Sequence, residues 1–170
     1  MPPRLPFLFT LLALLVTGCR GNDGAVKLTV SYSGFKPGCI RVGVKDAQGP
    51  GEPRTMELSG KGAPTGGMVT VAAFREAGWG TTLTVTAEAF ETDCSATAVA
   101  ATSGTVTVNP GDVAEKELKL EATDNDQDGY VSNANPGGTD CDDSNTGAGR
   151  HPGAQEALQR PGRQLRRHGG

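Results

Sequence analysis

The chain has 170 residues and a formal net charge of −3, with aromatic residues at 5% against 25 Gly and 11 Pro. That length accommodates one ordinary domain with an appendage. The glycine and proline content argues against a helical bundle, and the mild acidity excludes nucleic-acid binding through a basic surface.

The N-terminus opens with Arg4 and then Leu5–Val16, an apolar run of 12 residues, too short for the roughly 20 that a spanning helix needs. It ends in Val16, Thr17, Gly18 and Cys19. Small residues before the cut let a peptidase reach the backbone, and the thiol that follows can accept a diacylglycerol. This stretch resembles the lipobox of bacterial lipoproteins, which implies that residues 1–18 are a signal peptide and that Cys19 is the lipid attachment site. A multiply acylated cysteine anchors far better than one acyl chain, at about 0.8 kcal/mol per buried CH₂. The plainer alternative is an ordinary secretory leader that happens to precede a cysteine. Arg20 stands where an inner-membrane retention signal would place Asp, so the resemblance implies the bacterial outer membrane, with the domain periplasmic or surface-exposed.

Residues 19–24 read as a lipid-attached tether. From Ala25 the pattern becomes alternating: Val26, Leu28 and Val30 interleave with Lys27, Thr29 and Ser31, the period of a half-buried strand. Similar runs follow at 39–45, 54–58, 68–74, 82–90, 95–101, 105–108 and 113–120, separated by Gly- and Pro-containing breakers such as Lys36-Pro37-Gly38 and Asn109-Pro110-Gly111-Asp112. Seven or eight short strands predict an all-β protein, an antiparallel β-sandwich over residues 25–121. At the level of pattern only, it is similar to immunoglobulin-like or transthyretin-like domains. Cys39 and Cys94 are expected to pair in an oxidising compartment; two thiols holding a soft metal lack a nearby His or further Cys. Trp79, among turn glycines, reads as a packing residue.

After Leu120 the composition changes. Residues 124–143 hold six Asp and no Lys, Arg or Glu, whereas residues 150–170 hold five Arg and one Glu. Asp124, Asp126 and Asp128 alternate and Gly129 follows, the arrangement a hard cation demands: the chain curls, carboxylates converge, and the carbonyl of Tyr130 adds an oxygen. An EF-hand would place Glu where Asn135 stands, so that motif is rejected. A second cluster, Asp140, Cys141, Asp142 and Asp143, precedes His151-Pro152-Gly153-Ala154-Gln155-Glu156. Together, residues 124–156 closely resemble the MopE-type metal-binding motif of bacterial surface proteins and, more distantly, thrombospondin type 3 repeats. The resemblance implies Asp124, Asp126, Asp128, Asp140, Asp142 and Asp143 as ligands, with Tyr130 contributing through its backbone. All-oxygen ligands favour calcium; copper is disfavoured because it prefers imidazole or sulfur, and only His151 and Cys141 are at hand. A solvated acidic linker is the alternative.

In that family the Pro-Gly-Ala-x-Glu stretch continues into a Cys-Asn-Gly and Asp-Asp-Asn-Cys-Asp-Gly type of sequence. Here residues 157–170 form a basic tail instead. Codons exist for Leu158–His168 that, shifted by one base, read Cys-Asn-Gly-Arg-Asp-Asp-Asn-Cys-Asp-Gly. The tail is therefore expected to be a frameshift product and the motif at 122–156 incomplete; a basic segment facing anionic lipid is the competing reading.

No nucleophile elbow, phosphate loop or HExxH pattern occurs, and the only two histidines lie near the C-terminus, leaving little for acid–base chemistry. The expectation is a non-catalytic cell-surface lipoprotein with a calcium-stabilised acidic segment and a structural or adhesive role. Its partners would be the membrane and an extracellular glycan or protein. A sandwich that binds a glycan through Tyr32, Phe35, Trp79 or Phe90, and a fragment of a larger extracellular hydrolase, are the alternatives.

Overall fold

The computed structural model describes residues 23–145. Seven strands follow one another: β1 (Ala25–Ser33), β2 (Cys39–Asp46), β3 (Arg54–Ser59), β4 (Gly66–Phe74), β5 (Thr82–Phe90), β6 (Ala100–Thr107) and β7 (Val113–Glu121). They form two packed sheets, β4-β1-β7 and β3-β2-β5-β6. The fold is the expected β-sandwich.

Alternation explains the layers. Val26, Leu28 and Val30 of β1, Ile40, Val42 and Val44 of β2, Leu83, Val85, Ala87 and Ala89 of β5, and Leu118 and Leu120 of β7 all turn inward into one cluster. Each large aliphatic side chain buried this way contributes about 1.5–3 kcal/mol. Phe35 is fully buried at the β1–β2 connection and meets the Tyr32 ring edge-on at 6.2 Å between centroids. Phe90 is buried as well, and Trp79 packs against the cluster. Of the four aromatic residues that a glycan platform would need, three are therefore in the interior and the fourth half-covers it.

Two expectations about the sheets are corrected. β1 pairs antiparallel with β4 but parallel with β7, Ala25 lying opposite Val113, so the smaller sheet is mixed. The runs at 95–101 and 105–108 are one strand, β6, preceded by a turn in which Asp93 accepts the Ser95 amide at 2.9 Å. Hydrogen bonding to Asp93 commits Ser95 to a turn, and Gly104 continues the β6 ladder instead of breaking it.

Cys39 and Cys94 form the expected disulfide, with Cα atoms 5.5 Å apart. Both pack with Phe90 and Ala98 in a second small cluster. The Arg41 guanidinium lies over the Phe90 ring and donates to the Cys94 carbonyl, tying the bridge to β2.

Candidate metal centre

The chain leaves β7 at Glu121 and stays on the sandwich. The Asp124 amide donates to the Gly34 carbonyl at 2.9 Å and the Ser132 amide to Thr123 at 2.8 Å. Val131 is buried in the main core. Its amide donates to Glu91 Oε1 at 2.6 Å, and the Thr139 hydroxyl donates to Oε2 of the same residue at 2.8 Å. A parallel bridge joins Ser132 to Asp140, and a Cβ at Gly138 would lie 2.1 Å from the Ser132 oxygen. Only glycine lets the loop close here.

The acidic residues curl through short side-chain turns. Oδ1 of Asp126 accepts the Asp128 amide at 3.2 Å, Oδ1 of Asp128 the Tyr130 amide at 2.9 Å, and Oδ1 of Asp140 the Asp142 amide at 3.0 Å. In each, one oxygen binds the backbone two residues on, which is why Asp suits this spacing. Gln127 and Gly129 take left-handed backbone angles, φ 58° and 97°; for Gln127 that conformation costs about 1–2 kcal/mol. Asp143 closes the segment by accepting the Asn125 amide and side chain at 2.5 and 3.0 Å.

Two groups of carboxylates result. Asp124, Asp126 and Asp128 form one, and Asp126, Asp140 and Asp143 the other, the oxygens of each lying within 4.8 Å of one another. Asp126 belongs to both. Asp124 is 4% exposed and Asp140 0%. Both oxygens of Asp124, and Oδ2 of Asp126 and of Asp140, are buried without a hydrogen bond. Burial pushes the Asp124 carboxyl above its ordinary value; the Gly129 and Gln127 amides favour its charged form without closing a hydrogen bond, while Asp128 and Asp126 oppose it.

Of the sequence-predicted ligands, Asp124, Asp126, Asp128, Asp140 and Asp143 are brought together, and Asp142 joins neither group. Its Oδ1 accepts the Ser144 hydroxyl at 2.7 Å. Tyr130 is half-buried, next to Val131. Cys19, His151 and Glu156 lie outside the described residues. A third group of candidate ligands, Cys39, Glu57 and Cys94, is excluded because both sulfurs are consumed by the disulfide. Glu91 is the residue that sequence reasoning missed: it holds the acidic segment from 40 residues away, and nothing in its local sequence announces that.

Compared with protein-family models, curated proteins and solved structures, the chain finds no match.

Proposed function

We propose that this chain is a non-catalytic lipoprotein, displayed from the bacterial outer membrane through an acylated Cys19, whose acidic segment is held folded by calcium and serves a structural or adhesive role. The observation that carries the reading is the set of buried oxygens on Asp124, Asp126 and Asp140 that no hydrogen bond satisfies. Uncompensated burial of a carboxylate costs several kcal/mol, so crowding Asp124, with neither oxygen bonded, beside Asp126 and Asp140, each with one oxygen bonded, is tolerable with a divalent ion among them. The spacing agrees. Oxygens on opposite sides of a calcium ion lie up to about 5 Å apart, twice the calcium–oxygen distance, against the 4.8 Å limit within each group. Carboxylates and carbonyls on an irregular loop suit calcium, whereas magnesium retains several waters and demands a tighter octahedron. The likeness of residues 124–156 to MopE-type motifs adds support, and the lipobox-like Val16–Cys19 supports the anchor.

Thermal unfolding of the protein with calcium and with excess chelator tests the cation. At ten times a millimolar dissociation constant the ion adds about 1.4 kcal/mol, and an unchanged transition would count against the reading. Mass spectrometry of the membrane-extracted chain tests the anchor, with acyl groups on an N-terminal Cys19 as the expected result and an intact or unacylated N-terminus as the contrary one.

A further inference from the structure

The four edge strands of the two sheets are not equally protected. β7 carries Glu115, Lys116, Glu117, Lys119 and Glu121, and β3 carries Arg54 and Glu57. β6 has no charge of its own, but the Lys116 side chain lies over Gly104, and Asn135 and Pro136 line a hollow with its first residues. β4 differs. Its nine residues, Gly-Gly-Met-Val-Thr-Val-Ala-Ala-Phe, contain no charge and no proline. Long uncharged edges are templates for strand addition, which proteins otherwise block with charge, proline or a cover.

The most exposed large apolar side chains of the described residues lie on this strand: Met68 at 70% and Phe74 at 73%. Both point to the outer face, in line with Ser31 and Ala25 of β1. The Arg75 amide donates to Gly24 at 3.0 Å, which fixes the phase of the ladder. Odd-numbered residues of β4 bond to β1, and the amides and carbonyls of Gly66, Met68, Thr70, Ala72 and Phe74 face outward from the sheet. The bordering charges, Arg54 and Glu76, are paired with each other at 2.5 Å.

We infer that β4 pairs with β4 of a second copy of this chain, antiparallel about a twofold axis at Thr70. That register uses the outward-facing groups as hydrogen-bonded pairs and is self-complementary in size. Phe74 covers Gly66 of the other copy, Met68 lies beside Ala72, and Thr70 meets Thr70. A large ring over a strand glycine is a recognised stabilising device. Self-pairing of β7 or β3 would bring their charges together, whereas at β4 no like charges meet. The result is one continuous six-stranded sheet. Nine residues of edge bury less than the roughly 1,600 Å² of a standard interface, so the association is weak and concentration-dependent. It depends neither on calcium nor on the anchor.

Cross-linking of the full chain tests this in a Cys19→Ser, Cys141→Ser background, which leaves only the disulfide-bonded Cys39 and Cys94 beside the introduced cysteine. In the proposed register the two Thr70 Cα atoms are about 5.5 Å apart, within disulfide range. The two Met68 positions are offset by about 13 Å along the strand. Mild oxidation of Thr70→Cys should give a covalent dimer several-fold above that from Met68→Cys. Equal yields from the two variants, or no dimer from Thr70→Cys, would overturn the inference. Thr70→Lys, at an exposed outward position, should abolish concentration-dependent sedimentation while leaving the melting temperature unchanged. A Thr70→Lys chain that still associates like the parent, or a parent chain that stays monomeric at the highest concentrations, would overturn it equally.

Discussion

Glu91 and Val131 join the sandwich to the acidic segment. The Glu91 carboxylate, one residue beyond β5, accepts the Val131 amide with one oxygen and the Thr139 hydroxyl with the other. The Val131 side chain is meanwhile buried among core residues from both sheets. The stretch after β7 is therefore built onto the domain.

Replacing Glu91 with Ala removes two charge-assisted hydrogen bonds and strands a buried amide. Hydrogen bonds to charged groups contribute about 1.5–3 kcal/mol each, so the unfolding free energy in chelator should fall by an amount of that order. Because Glu91 belongs to neither carboxylate group, any accompanying loss of calcium affinity would report lost positioning, not lost ligation. Denaturant titration with and without calcium measures both quantities.

Reduction offers a second check. The Cys39–Cys94 bridge spans a sequence separation of 55, and constraining a loop of that size contributes about 4 kcal/mol in the chain-entropy model. The Cys39→Ala, Cys94→Ala double variant should lose stability on that scale. The effect should concentrate around Phe90 and Ala98, which pack against the sulfurs; hydrogen exchange would locate it.

A third prediction concerns acid. Asp46 accepts the Gly80 amide at 3.0 Å and the Gln48 amide at 3.1 Å, and these bonds hold its carboxyl below the usual carboxylate value. A depressed pKa in the folded state stabilises the protein above the unfolded value of about 4, and that contribution is lost as pH falls through the lower folded value. Asp46→Asn should accordingly melt below the parent at neutral pH, with the gap closing in strong acid. A gap that persists or widens on acidification would contradict the assignment.

Much of the fold was legible in the sequence because the physics is local. A strand with one face in the core must alternate, and the core residues recur at every second position: Val26, Leu28 and Val30 in β1, Ile40, Val42 and Val44 in β2, and Leu83, Val85, Ala87 and Ala89 in β5. The disulfide was legible as well, since Cys39 and Cys94 have no neighbouring His or further Cys with which to hold a metal. Pairing direction was not: the alternation of β7 is the same whether its neighbour runs parallel or antiparallel, and the parallel match to β1 follows only from how the chain crosses between the sheets. Gly104 and the threonines around it weakened the pattern of β6 enough to suggest two strands. In the acidic segment, spacing located the residues that converge, because Asp two residues apart makes the same side-chain turn each time. It could not separate Asp142, whose spacing from Asp140 repeats the pattern but whose Oδ1 accepts Ser144. Nor could it find Glu91, whose partners lie 40 and 48 residues away.

Calcium binding by the intact protein, measured by equilibrium dialysis beside an Asp126→Asn variant, tests the central claim most directly. Asp126 is the one residue common to both carboxylate groups. Saturable retention with a dissociation constant of about 10⁻⁴–10⁻³ M, typical of extracellular modules, is predicted for the parent and a marked weakening for Asp126→Asn. No retained calcium at millimolar concentration, or equal retention by parent and variant, would contradict the account.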